Sequence, residues 1–492
     1  MNQSNDISTH LLGDAADSII KATANWPRSR DYIVAVLFLR LLSDWYKDTL
    51  NEHRRKYRGD EIRVARAMRR ERFIVPEGCT FAHLYAQREV VHLGESINTT
   101  FRRLEEANRH KLEGVFFSTD FNSEDLGPSD KRNAGLRSLL ETVEGLGAET
   151  EVAPAQWIGD LADILLYEFA EDAARRQEAF YTQPDISTLI TLLLQPAQGD
   201  RIYDPYCGCG ALLIRAARAI KSTDFALFGN GPANSTWALC KLNLIIQGMD
   251  DARITKGDPL RNPILADDDT LQKFNVVVAD PASLIADWDS ETLERDRLNR
   301  FRRGIPPKGS RDFVSITHVV ESMNPVDGRA CIVVPLGALF RGGNEGLIRE
   351  RLIDENLLDG VVRLPPNLLF GTAIPVALLL FKANRSDKSV LFIDASRGCS
   401  NEKNRNRLRD EDIEKIVSAW QSRTELAQYS HLASYEEVEV NEFNLHMPLY
   451  VKSSEDEEEV DSSTLEAIIA DLEGRQVQAR EDLASALRKL RE

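Results

Sequence analysis

The stretch Arg201-Ile202-Tyr203-Asp204-Pro205-Tyr206-Cys207-Gly208-Cys209-Gly210-Ala211 decides the fold. Its first four residues read as a short strand, and the segment from Ala211 to Lys221 reads as a helix. Between them Gly208 and Gly210 let the backbone turn tightly and approach a ligand, because neither carries a Cβ. A Gly-rich turn by itself is as readily an ordinary tight turn; the strand–loop–helix setting points to a nucleotide-type site. No Gly-Lys-Ser/Thr follows, so this is not a Walker loop. The Gly-x-Gly-x-x-Gly spacing of dinucleotide sites is absent too.

Outward from this loop the same texture repeats. The β-rich runs Phe225–Asn230, Ala252–Gly257, Phe274–Asp280, Arg329–Pro335, Leu358–Leu364 and Val376–Phe381 alternate with helix-like segments such as Ser235–Gln247 and Asn344–Asn356. The alternation predicts an α/β fold with a mostly parallel, doubly wound sheet, whose ligands lie beyond the carboxyl ends of the strands. Residues 1 to about 170 read as helical. There Ile33, Val36, Leu37, Leu41 and Trp45, with the stem of Arg40, recur at the spacing of one helix face. Arg54 to Arg72 holds nine basic and three acidic residues, a local +6 that reads either as a solvated face or as a phosphate-contacting surface. After the acidic run Glu455–Glu459, Leu465, Ile469, Leu472, Leu483 and Leu490 follow a heptad seam, for a partner subunit or for this chain's own surface. The expected organisation is a helical N-terminal domain (1–165), a core (166–400), a C-terminal extension of it (401–454), and an acidic linker with a partner-binding helix (455–492).

The chain has 492 residues, with 61 Lys and Arg against 78 Asp and Glu, a formal charge of −17. At roughly 150 residues per domain this length suggests about three domains. Hydrophobic residues make up 42% and charged residues 28%, which excludes a wholly disordered chain. The acidity excludes a protein whose entire surface grips nucleic acid, but leaves room for local basic tracks. The six cysteines are scattered and form no Cys-x-x-Cys, so neither a disulfide framework nor a zinc or other metal site is expected. The N-terminus MNQSNDISTH lacks a signal-peptide pattern, and Tyr32–Leu42 is too short for a membrane span and carries Arg40. A cytoplasmic protein with no membrane contact is expected.

Several further motifs bear on function. Asp204-Pro205-x-Cys207-Gly208-x-Gly210, preceded by Phe180-Tyr181-Thr182-Gln183-Pro184 and followed by Thr236-Trp237-Ala238-Leu239, Asn243-Leu244 and Gly257-Asp258-Pro259-Leu260, resembles a known family. It is similar to the modification (M) subunits of type I restriction-modification systems, which are adenine-specific DNA methyltransferases. Asp312-Phe313, Gly328-Arg329-Ala330, Val333-Val334-Pro335, Gly371-Thr372-Ala373-Ile374-Pro375 and Asn444-Leu445-His446-Met447-Pro448 continue the pattern. So do Val34–Asp44 and Asp120-Phe121-Asn122-Ser123, and the resemblance spans roughly residues 10 to 455.

The resemblance implies a Rossmann-like, S-adenosylmethionine-dependent methyltransferase core with a helical N-terminal domain and a C-terminal helical tail. It implies that Tyr181, Thr182, Asp204, Cys207, Gly208 and Gly210 bind the cofactor, the segment from Phe180 closing over its methionine part. Asp258 would then meet the cofactor adenine. Asp280 and Pro281 would accept the hydrogens of the target adenine's exocyclic amine and turn its lone pair toward the methyl donor, on a base flipped out of double-stranded DNA. The implied partners are a specificity (S) subunit that reads sequence, a restriction endonuclease (R) subunit and a second M copy.

Two departures accompany the match. The family follows Asn-Pro-Pro with Phe or Tyr, whereas Asp280-Pro281 is followed here by Ala282-Ser283, which removes a stacking platform worth about 1–3 kcal/mol. Trp288 is a candidate replacement. Gly231 stands where the family places an acid for the cofactor ribose, with Asn230 or Asn234 as substitutes for one hydrogen bond. Two functions stay open: an active adenine-N6 methyltransferase, and the same fold as a catalytically impaired DNA-binding or scaffold subunit. A methyltransferase for RNA or protein is a third. Finally, Arg295, Arg297, Arg300, Arg302, Arg303, Lys308 and Arg311 against Asp296 alone give +6 just after the strand ending at Asp280. This run is either an exposed loop or a DNA-phosphate track.

Overall fold

The computed structural model describes residues 2–24, 26, 28–146, 154–175, 180–266, 270–281, 290–370, 372–401 and 405–452. The acidic run, the heptad seam, Ala282, Ser283, Trp288 and Gly371 lie outside the described residues. The strands are β1 Arg201–Asp204, β2 Ala226–Gly231, β3 Arg253–Lys256, β4 Val276–Ala279, β5 Arg329–Pro335, β6 Leu358–Arg363, β7 Val376–Lys382, β8 Val390–Asp394, β9 Ser400–Asn401, β10 Asn406–Arg407 and β11 Ser430–Ala433. Nine of them form one sheet in the order β11-β8-β6-β7-β5-β4-β1-β2-β3, while β9 and β10 form a small separate hairpin. β3, β2, β1, β4 and β5 run parallel, and β7 is antiparallel to both of its neighbours, β5 and β6.

All seven strands expected from the sequence form, with edges shifted by at most two residues. β8 and β11 were not expected; β8 pairs parallel with β6, and β11 pairs antiparallel with β8. Residues 430–433 therefore complete the sheet that starts at Arg201.

Parallel strands covered on both faces need apolar side chains on both. Val276 and Val278 enter one core, and Val277 and Ala279 the other. The first core runs without a break into the N-terminal helices. The helix Ser29–Lys56 packs against the helices Pro154–Arg175 and Asn234–Ile246. The sequence pattern suggested one apolar face, yet every residue from Ser29 to Leu39 is buried. The helix is a central pillar wedged between neighbours, so polar residues of its buried part pair inside: Arg30 meets Asp31 at 3.2 Å. Among the described residues no helix is long and apolar enough to cross a membrane.

Candidate functional site

Because β1 to β5 are parallel, the loops that follow β1, β2, β3 and β4 all emerge at one edge of the sheet. The chain order reverses between β1 and β4, the place where an open α/β sheet leaves a crevice. Asp204 closes β1, and Asp280 and Pro281 follow β4 directly.

The loop after β1 is shaped by its glycines. Gly208 (φ 51°) and Gly210 (φ 87°) take left-handed backbone angles. A Cβ on Gly208 would overlap the Phe180 carbonyl oxygen, which accepts the Cys209 amide hydrogen at 2.8 Å. The Gly210 amide returns to the Cys207 carbonyl at 2.6 Å, closing the turn before the helix Ala211–Ala219. Cys207 is itself pinned: its amide and its thiol both reach the Asn230 carbonyl.

Phe180–Gln183 therefore packs into the loop as part of it. Its next members reach the other side of the crevice. Thr182 Oγ1 donates to Asp280 Oδ2 at 2.9 Å, both side chains being buried. Tyr181 is half-buried and packs edge-on against Tyr167. Gln183 is only 3% exposed, and neither atom of its amide has a hydrogen-bond partner among the described residues. Such an orphaned pair is costly unless a ligand satisfies it. Gln183 has no role among the residues expected from the sequence, although it lies between Thr182 and Pro184 in the segment that carries the resemblance.

Asp204 is 1% exposed. Burial pushes its carboxyl up to about 8; the Tyr206 amide, donating at 2.9 Å, opposes this and the nearby Asp280 adds to it. Asp258, after β3, is half-buried, and burial raises its pKa too; its Oδ1 accepts the Leu260 amide at 2.8 Å.

At the end of β2 the structure explains the missing acid. A Cβ on Gly231 would lie 2.7 Å from both Cα and Cβ of Trp237, at the start of the helix Asn234–Ile246. No side chain fits there. Asn230 is fully buried and its amide is engaged at both atoms, which ties it into the core of the sheet: Oδ1 accepts from Tyr203 at 2.8 Å and Nδ2 donates to the Asn262 carbonyl at 3.0 Å. Asn234 is exposed.

The expected phosphate track after β4 needs correction. Arg300 is 4% exposed and donates to Asp296 at 2.7 Å, to the Leu260 carbonyl at 2.8 Å and to the Pro259 carbonyl at 3.3 Å. It also faces His318 Nδ1 at 3.2 Å. A guanidinium only donates, so Nδ1 accepts and Nε2 carries the proton toward Tyr203, 3.0 Å away. Burial holds His318 far below its ordinary pKa, with Arg300 adding to the effect. Arg303 is 3% exposed and meets Glu355 and Glu321 at 2.6 Å each, and Arg302 shares the same two carboxylates. Arg300 and Arg303 thus face inward and hold loops together rather than facing DNA. Arg295, Arg297, Lys308 and Arg311 are exposed, Arg295 pairing with Glu291 at 2.5 Å. A separate cleft of about 800 Å³, lined by Arg201, Phe228, Asp250 and Arg253 among others, opens at the opposite, amino-terminal edge of the sheet and touches none of the site's loops.

A mostly parallel sheet with a Gly-rich loop after β1 and a carboxylate–proline pair after β4 defines a methyltransferase-type α/β core. The N-6 DNA methylase family model matches residues 154–459, and the HsdM N-terminal domain matches residues 13–143. The chain belongs to the N-6 DNA methylase family. It is 28% identical to the type I restriction enzyme MjaVIII methylase subunit of Methanocaldococcus jannaschii, over 91% of this chain and 80% of that one. It is 25% identical to the MpnII methylase subunit of Mycoplasma pneumoniae, over 98% and 95% of the two chains. Among solved structures, the type I restriction-modification methyltransferase subunit of Streptococcus thermophilus superposes with a TM-score of 0.77, at 26% identity, covering 92% of this chain and all of that one.

The Gly208 geometry carries a stability prediction. Gly208→Ala places a methyl group against the Phe180 carbonyl at a left-handed angle, and should cost about 2 kcal/mol or more. Urea unfolding of both proteins measures it; an unchanged midpoint would show that the loop and the Phe180 segment are not locked together.

Proposed function

We propose that this chain transfers a methyl group from S-adenosylmethionine to N6 of an adenine in duplex DNA, as the modification subunit of a type I restriction-modification complex. The observation that carries this reading is the Thr182–Asp280 hydrogen bond, which joins the segment locked into the Gly-rich loop to the acceptor carboxylate after β4.

The residues present suit the cofactor. Gly208 and Gly210 form a cradle that side chains would fill, Gln183 offers an unused amide nitrogen donor group and an unused carbonyl acceptor, and Asp204 offers a carboxyl group. Tyr181, Thr182 and Cys207 complete this wall, and Asp258 stands at its far end for the adenine ring. When bound, S-adenosylmethionine supplies an electrophilic methyl group. Asp280 accepts one hydrogen of the target amine and the Pro281 carbonyl the other, which localises the amine lone pair. A carboxylate has about four lone-pair sites, so the Thr182 bond orients Asp280 without exhausting it. On this reading the partners are duplex DNA, a specificity subunit, a restriction endonuclease subunit and a second M copy, in the cytoplasm.

Calorimetry with the cofactor across pH tests the reading. The cofactor carries positive charge and favours ionised Asp204, so affinity should rise roughly tenfold between about pH 6.5 and 8.5. Asp204→Asn should flatten that dependence. In the free chain the sign reverses: an unfolded Asp ionises near pH 4, so the contribution of neutral Asp204 to stability is present below that and lost as pH rises through about 8. No heat at millimolar cofactor, from folded protein alone and with the specificity subunit, would remove the enzyme reading. Heat without N6-methyladenine in duplex DNA would favour the scaffold reading.

A further inference from the structure

The basic segment at residues 54–72 differs from the one after β4 in a way that sequence could not reveal. All nine of its basic residues, eight arginines and Lys56, are exposed. They lie on a helical hairpin built from the end of the helix Ser29–Lys56, a turn through Arg58 and Gly59, and the helix Glu61–Met68. Arg54 pairs with Glu61, Arg63 with Asp60 and Arg72 with Asp250. Arg55, Lys56, Arg58, Arg66, Arg69 and Arg70 meet no carboxylate within 4.0 Å among the described residues. All three acids in the segment are already engaged: Asp60 also caps the second helix, Glu61 holds Arg54, and Glu71 bonds His53 at 2.6 Å.

The general surface does not account for this patch. The chain's −17 becomes −23 once this +6 segment is set aside. Helix dipoles explain only part of it, since Arg55 and Lys56 end one helix and Arg66 the other, but Arg58 and Arg70 lie beyond both. At 100° per residue, Arg66 and the C-cap residue Arg69 fall on the side opposite Val64, the buried residue of the second helix, and Arg70 follows in the exposed turn. Ile62, 77% exposed, shares that side. Arginine dominates the patch, and its planar fork matches phosphate oxygens better than a lysine ammonium does.

We infer that this hairpin is a phosphate-contacting surface for duplex DNA, acting without base readout and placed in the helical N-terminal region away from the methyl-transfer crevice. The assignment rests on the proposed function for its choice of DNA as the polyanion.

The test is full-length protein binding to a duplex of arbitrary sequence, without cofactor, over a series of salt concentrations. Arg66→Gln/Arg69→Gln/Arg70→Gln is compared with Arg295→Gln/Arg297→Gln/Lys308→Gln and with wild type. Each lost phosphate contact lowers the slope of log affinity against log salt by about 0.9, so the hairpin variant should lose about two to three units and bind at least tenfold more weakly at about 100 mM salt. The variant after β4 should keep most of the slope. Three outcomes would overturn the inference: no wild-type binding at about 50 mM salt, an unchanged slope in the hairpin variant, or hairpin-dependent binding to phosphatidylserine vesicles as tight as to DNA. Because cofactor is absent, failure of the methyltransferase reading would leave this result standing.

Discussion

Asp280→Ala should lower methyl transfer to duplex DNA by roughly 10²–10³-fold at saturating cofactor, the usual consequence of deleting a positioned group that acts on the reacting atoms. Asp280 follows β4 at the sheet's carboxyl edge, is buried, and is held by the Thr182 hydroxyl. On the proposed mechanism its removal deletes an acceptor for the target amine, and it takes away the acceptor of the Thr182 hydroxyl. Cofactor affinity should be preserved or improved, because Asp280 is one cause of the raised pKa of Asp204, and its loss eases ionisation there. Asp280→Asn keeps a side-chain carbonyl and should stay within about tenfold of wild type. Single-turnover rates and cofactor calorimetry on the three proteins separate chemistry from binding. Unchanged transfer by the alanine variant would remove Asp280 from the mechanism.

The second large effect concerns stability. Arg300→Met should destabilise the fold by about 3–5 kcal/mol, the cost of breaking a buried ion pair from one side. Burial works against the Asp296 charge, but the Arg300 hydrogen bonds outweigh it and hold its carboxyl below the ordinary value. The variant strands that carboxylate. It also frees the carbonyls of Pro259 and Leu260, just after Asp258, and leaves His318 without its donor. Lysine should not rescue, because one ammonium cannot span Asp296, two carbonyls and an imidazole. Urea unfolding measures the loss, and the salt dependence of DNA binding by folded Arg300→Met should equal that of wild type. A variant of unaltered stability but reduced salt slope would return Arg300 to the DNA surface.

Arg300 also marks the limit of reading a chain by local charge. The segments 54–72 and 295–311 each carry +6. The first lies on a helical hairpin with its arginines exposed to solvent. The second is folded against Glu321 and Glu355, some 20 to 50 positions away in sequence, which draws Arg303 into ion pairs, while Arg300 is drawn in by Asp296 and the 259–260 carbonyls. Likewise the chain shows Gly231 in place of an acid, but only the approach of Trp237 shows that no side chain fits.

By itself the sequence carried the mostly parallel sheet and the Gly-rich turn after β1, because short continuous apolar runs and glycine act through local rules, while the roles of Asp204, Asp258 and Asp280 follow from the family resemblance. Tertiary structure alone decided that Phe180 occupies the space Gly208 leaves, that Thr182 reaches Asp280, that Gln183 is buried without a partner among the described residues, and which arginines face water. Each of these depends on residues far apart in the chain meeting at one place, and the energy that settles them, desolvation against pairing, exists only once the fold has brought them there.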